Sequence, residues 1–168
     1  IPELSVSNIE NSKKFYQDKF NSLIPELSVS NIENSKKFYQ DKFNSLIPEL
    51  SVSNIENSKK FYQELGFKII YERPEDKFCF IQLEENQIMI EEINGNWNVG
   101  ELKYPYGNGI NISMSIKDVE KLYNSLKNKN IKFFVDLKIS EYKVNNKIYK
   151  DKEFLIQDPD GYLLRFND

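Results

Sequence analysis

No histidine occurs among the 168 residues. Without an imidazole, Ser-His-Asp and Cys-His nucleophile activation, His-ligated zinc and imidazole acid/base work are all excluded. Cysteine is nearly absent as well. The single thiol, Cys79, can close no internal disulfide and build no Cys-based metal cage, and it fits a reducing compartment. No apolar run in the sequence approaches the roughly 18 residues of a membrane helix, and no basic-then-apolar start suggests a signal peptide. A cytoplasmic protein with no membrane partner is therefore expected. Charge of either sign is also in short surplus. The net −3 falls wholly on residues 41–168, which argues against broad phosphate-backbone binding and so against a nucleic-acid partner. It is compatible with a cationic ligand, or with an ordinary solvated surface. Carboxylates, Lys, Tyr and Arg are what remains for chemistry.

What the sequence does contain is repetition. IPELSVSNIENSKKFYQ occurs three times without a difference, from Ile1, Ile24 and Ile47, joined by DKFNSL at Asp18 and Asp41. Solenoid repeats diverge away from their packing positions, and this one has not diverged. Residues 1–40 are expected to be duplicated strand-helix segments, from a recent or engineered duplication or a sequence written more than once. Residues 41–168 are expected to form one self-sufficient domain, with modules at about 41–94 and 109–168.

Leu46–Ser53 alternates as a strand, with Leu50 and Val52 on the face toward the following helix and Ile47, Glu49 and Ser51 on the other, and Pro48 puts it at an edge or an exchange point. Asn54 reads as the N-cap of a helix with the apolar stripe Ile55, Phe61, Tyr62, Leu65, which Gly66 ends. Phe67–Tyr71, Lys77–Leu83 and Gln87–Ile93 read as three strands. The order then recurs: strand Ile110–Ile116, a helix capped by Asp118, and strands Ile131–Leu137, Glu153–Gln157 and Tyr162–Phe166. The expected fold is α+β, with two βαβββ modules forming a curved mixed sheet around a cleft. Asn94–Asn108 is a long loop carrying Trp97, and Lys143–Lys152 reads as a hydrophilic excursion suited to a lid, with Tyr142 or Tyr149 touching ligand.

The runs Leu50-Ser51-Val52-Ser53-Asn54, Ser58-Lys59-Lys60-Phe61-Tyr62, Leu65-Gly66-Phe67 and Glu153 to Phe166 (EFLIQDPDGYLLRF) resemble the vicinal oxygen chelate superfamily, which includes glyoxalases, bleomycin resistance proteins and dioxygenases. The closing segment and Gly107-Asn108-Gly109-Ile110-Asn111 are most similar to the bleomycin-resistance type. Matching the motifs of the superfamily's metal enzymes places their four ligands at Ile47, Met89, Asn111 and Arg165. None is a histidine or carboxylate, and Arg165 brings a fixed positive charge where a cation would sit. The resemblance therefore implies a member with no metal and no cofactor. Such a member would be a binding protein rather than an enzyme: a homodimer exchanging N-terminal arms near Pro48, sequestering a cationic glycopeptide antibiotic between subunits.

The expected ligand residues are Ile47, Glu49, Met89, Glu91, Trp97, Asn111, Ser113, Ser115, Tyr142 and Arg165. Trp97 offers a rigid aromatic for stacking or dimer anchoring, or else packs its loop. Glu49, Glu91 and Glu153 could meet ligand amines or be solvated carboxylates. Asn111, Ser113 and Ser115 offer donors and acceptors at period-2 spacing, on a face that could equally be merely wet. Arg165 could close over an anion or pair with Glu49 or Glu91. Of Phe78, Cys79, Phe80 and Ile81, one alternating pair faces the helix and the other the cleft, with the assignment open. Asp158-Pro159-Asp160-Gly161 reads as a turn with no chemistry. The alternatives are a metal-free lyase or isomerase with a carboxylate base such as Glu49 or Glu91, or a non-catalytic dimeric scaffold whose cleft has filled.

Overall fold

The computed structural model describes residues 43–168, of which 44–168 form one compact unit. The expectations for residues 1–40 lie outside the described residues. Within the unit, β1 (Glu49–Val52), α1 (Ile55–Glu64), β2 (Lys68–Arg73), β3 (Phe78–Leu83) and β4 (Asn86–Glu92) make the first module. β5 (Asn111–Ser115), α2 (Val119–Asn128), β6 (Val135–Val144), β7 (Lys147–Gln157) and β8 (Leu163–Asn167) make the second. The sheets have the equivalent orders β1-β4-β3-β2 and β5-β8-β7-β6, with the first pair of each parallel. The α+β architecture of two βαβββ modules is as expected. No helix among the described residues is long and apolar enough to cross a membrane.

Local chemistry ends both helices alike. Asn54 accepts from the Asn57 N–H and Asp118 from the Lys121 N–H, each at 2.9 Å, which satisfies first-turn donors that have no helical partner. At the other end Gly66 sits at φ +102, with its N–H on the Gln63 carbonyl and that of Phe67 on the Tyr62 carbonyl. Asn130, at φ 58, and Ile131 repeat these bonds to Lys127 and Leu126. Asparagine is the side chain best suited to replace glycine in this left-handed position.

The apolar side chains of both modules meet in one core. Val52, Tyr62, Leu65, Cys79, Ile81 and Ile90 from the first join Met114, Val119, Leu126, Phe154, Leu164 and Phe166 from the second. Cys79 and Ile81 thus take the helix side of β3, and Phe78 and Phe80 take the opposite face. The expected lid is instead regular: β6 and β7 run on as a hairpin in which Tyr142 faces Tyr149 and Val144 faces Lys147, turning at Asn145 with φ 55.

The turn after β7 fastens the modules together. Asp158 and Asp160 are buried. Asp158 Oδ1 accepts from the backbone N–H of Asp160 and Tyr162, and its Oδ2 accepts from the Tyr62 hydroxyl at 2.9 Å. Asp160 accepts from the Ser53 N–H at 2.9 Å and the Ser58 hydroxyl at 3.3 Å, and the Tyr162 hydroxyl reaches the Ser51 carbonyl. The expected turn is present, with Asp158 bonded to its own backbone, and its aspartates also close the junction with α1. Burial pushes the Asp158 carboxyl up to about 6, against the hydrogen bonds from Tyr162 and Tyr62. The unfolded value is roughly 3.9, so the fold binds this proton more tightly. Asp158 therefore favours the fold at acid pH, and that contribution is lost as pH rises through about 6.

Two predictions follow from this junction. Tyr62→Phe leaves an ionised Asp158 oxygen buried without its donor and should cost about 1–3 kcal/mol at pH 7 in urea unfolding. The loss should be smaller near pH ~4.5, where the carboxyl is protonated; equal losses at both pH values would contradict the assigned ionisation. Gly161→Ala should cost more than about 2 kcal/mol. Its φ is +93, and an added Cβ would stand 2.6 Å from Pro105 Cα.

Candidate functional site

Each sheet turns one face to its helix, and alternation puts the expected site residues on the other. In the first module the register forms two rungs on that face. Ser51, Glu91, Phe78 and Arg73 make one, and Glu49, Met89, Phe80 and Tyr71 the next. The Arg73 guanidinium lies over the Phe78 ring at 4.0 Å from its centroid, and Tyr71 stacks on Phe80 at 5.2 Å. Ile47, half-buried, directly precedes this strand, and the Pro48 carbonyl accepts from the Met89 N–H of the same chain at 2.9 Å.

Trp97 comes from the long loop after β4. It is 60 % exposed, and its indole N–H donates to Glu91 Oε2 at 2.9 Å. Glu91 itself is buried. Two expected residues are thus brought together, a flat ring open to solvent fixed at its inner edge by a carboxylate.

In the second module Asn111, Ser113 and Ser115 are exposed along β5, with Ser113 beside Arg165 and Ser115 beside Asn167 on β8. Arg165 departs from expectation. Its guanidinium approaches Ser113 Oγ at 3.3–3.4 Å, and its carboxylate partner is Glu153 at 3.5 Å, not Glu49 or Glu91. The reason is register: Glu153 and Arg165 lie on adjacent, paired strands of one sheet. Glu153 also takes Lys138 at 3.2 Å, the Ser140 hydroxyl at 2.7 Å and the Tyr142 hydroxyl at 3.5 Å. Burial raises its pKa, but hydrogen bonds from Ser140 and Lys138 and the charges of Lys138 and Arg165 hold it below the ordinary range on balance.

The four residues that the resemblance matches to metal ligands do not fit a divalent ion. Ile47 has no donor, Met89 is soft, Asn111 is a weak neutral donor, and Arg165 is a cation held by Glu153. Among the described residues no three His, Cys, Asp or Glu side chains gather to hold a metal. Cys79 is buried in the core, and burial, followed by the charge of Glu72, pushes its thiol up to about 11, so it is not a nucleophile at neutral pH.

Sequence reasoning missed Tyr71, Arg73, Lys138, Ser140 and Asp151 on these faces. For the last three the signal was present in the paired Tyr142 and Tyr149 around Asn145-Asn146, a hairpin turn that extends β7 back through Asp151.

No curated protein sequence matches the chain. Solved structures do. A glyoxalase/bleomycin resistance protein/dioxygenase from Alicyclobacillus acidocaldarius is similar at 20 % identity and TM-score 0.54, covering 74 % of this chain and 89 % of that one. A bleomycin-binding protein complexed with bleomycin gives 18 % identity and TM-score 0.54, over 75 % of this chain and 98 % of that one. A bleomycin resistance determinant encoded on the transposon Tn5 gives 17 % identity, TM-score 0.54 and the same coverage, 75 % and 98 %. At these identities the likeness is one of fold. The family model for the Glyoxalase/Bleomycin resistance protein/Dioxygenase superfamily matches residues 45–166, nearly the whole described unit, and the chain belongs to that superfamily.

Proposed function

We propose that this protein is a metal-independent binding protein of the bleomycin-resistance type, which sequesters a cationic glycopeptide antibiotic in the cytoplasm and uses no cofactor. The observation that carries this reading is the Trp97 indole, open to solvent and hydrogen-bonded to buried Glu91 on the sheet face away from the core. A planar ligand group can stack on such a ring, and a ligand amine can compete for the carboxylate beneath it. The donor chemistry at Ile47, Met89, Asn111 and Arg165 supports sequestration over metal catalysis. Asn111, Ser113 and Ser115 supply an exposed polar edge for an amide-rich ligand. The assembly in this reading is a homodimer in which the arm around Pro48 exchanges between subunits and the clefts form at the interface.

A second reading has one observation in its favour. Phe78 and Phe80 are buried on the same face, as they would be in a non-catalytic dimeric scaffold whose cleft has filled. A lyase or isomerase would need a carboxylate of raised pKa beside an apolar wall. The raised carboxylate on the second module's face is Asp151, which lies among Ser140, Glu153, Asn167 and Arg165.

Titrating bleomycin or phleomycin while following Trp97 fluorescence should give a saturable change at roughly micromolar ligand. A flat titration on protein shown to be dimeric by sedimentation would overturn sequestration and favour the scaffold. Glu91→Gln should weaken binding about tenfold, the effect of losing one charge-assisted hydrogen bond, while leaving unfolding by urea nearly unchanged.

A further inference from the structure

The second module's face holds two buried carboxylate oxygens that accept no hydrogen bond, Glu153 Oε2 and Asp151 Oδ1. Glu153 is only 3 % exposed, and its partners Ser140, Lys138 and Tyr142 all engage Oε1. Arg165 Nη1 faces Oε2 at 3.5 Å, but the Nε and Nη2 of that guanidinium are directed at Ser113 Oγ. Asp151 precedes Glu153 by two positions on β7, so both point to the face away from α2. Burial, and then the charge of Glu153, hold the Asp151 carboxyl above its ordinary range, against the charge of Arg165 and a hydrogen bond with Asn167. Beyond Asp151, on the hairpin's same face, Tyr142 and Tyr149 stand opposite each other, 41 % and 52 % exposed.

Buried acceptors without donors are rare in native proteins, and each calls for a water, an ion or a ligand. The surroundings select among these. A divalent metal would find only two oxygens that accept no hydrogen bond, too few for a hard cation. An anion is repelled by both carboxylates. A guanidinium needs both oxygens of one carboxylate for its fork, and Glu153 Oε1 is already taken. A primary ammonium has three N–H donors in a compact head and is also attracted to aromatic faces.

We propose that this end of the second sheet is a recognition site for a primary alkylammonium group, whose N–H donors fill Glu153 Oε2 and Asp151 Oδ1 while its alkyl stem lies along Tyr142 and Tyr149. The site rests on the reading of these sheet faces as ligand faces, and it names the chemistry of one part of the ligand. It uses a different sheet from Trp97 and Glu91, so the two can be tested separately.

The test is NMR of ring-labelled tyrosine in the full chain, titrated with n-butylammonium chloride, with tetramethylammonium chloride as a cation that has no N–H donor. Saturable shifts of the Tyr142 and Tyr149 rings are expected at roughly millimolar ligand, the range open to so small a molecule. Tetramethylammonium should bind at least about tenfold more weakly, because it leaves both oxygens unfilled. Asp151→Asn should weaken butylammonium by a similar factor of about ten. Among the described residues Asp151 makes no ion pair, so this variant leaves the Lys138–Glu153–Arg165 network standing. No saturation below about 100 mM, equal binding of tetramethylammonium, or binding indifferent to Asp151→Asn would each overturn the site. A flat bleomycin titration at Trp97 beside an intact butylammonium response would remove the antibiotic reading and leave this site. The reverse result would remove the site alone.

Discussion

The junction between the Asp158–Tyr162 turn and the start of α1 is the constraint on which the remaining geometry depends. Two βαβββ modules each present one apolar sheet face, and each has only a single ten-residue helix to cover it. A helix of that length is marginal by itself, so its stability has to come from packing. The turn supplies the alignment. Its two buried carboxylates collect the Ser53 N–H and the hydroxyls of Ser58 and Tyr62, and so hold α1 against the second module. Once the modules are so placed, their cores merge into one cluster, and the opposite faces of both sheets are left for other uses.

Those faces are chemically unlike. The first carries aromatic rings, an arginine lying over one of them, and a buried carboxylate under an open indole. The second carries a charged lattice centred on Glu153. The same lattice accounts for the poor match to a metal centre. Arg165, which the resemblance matches to a metal ligand, is held by Glu153 and Ser113, so the position supplies positive charge in place of an electron pair. A flat polycationic molecule with many amides would find stacking surface on one sheet and acceptors on the other.

Much of this was legible in the sequence because it follows from local rules. Asn54, Asp118 and Gly66 act at single positions, and strand alternation assigned Leu50 and Val52 to the core and Glu49 and Ser51 to the other face without tertiary information. The failures share a cause. Residues 143–152 are polar enough to suggest an excursion, but a hairpin solvated on both sides needs no hydrophobic pattern, only a turn and cross-strand pairs. Glu153 as the partner of Arg165 is not legible in the same way, because sequence shows which side chains share a face, not which strands adjoin. Phe78 and Phe80 could not be separated from Cys79 and Ile81, since all four are buried and a continuous apolar run carries no phase. Asp158 and Asp160 fit a turn so well that local chemistry left no sign of a second, long-range role.

The junction also bears on the triplicated segment. Ser53, Ser58 and Tyr62 have identical counterparts at Ser7, Ser12 and Tyr16 and again at Ser30, Ser35 and Tyr39. Every copy therefore carries the first module's side-chain half of the junction, whereas Asp158 and Asp160 occur once. Sequence identity gives the copies equal intrinsic affinity for that turn, so what distinguishes them is connectivity. Only the third copy runs directly into Gly66 and Phe67, whose backbone bonds end α1 and lead into β2. Short covalent attachment raises its effective concentration at the turn above that of segments tethered farther away.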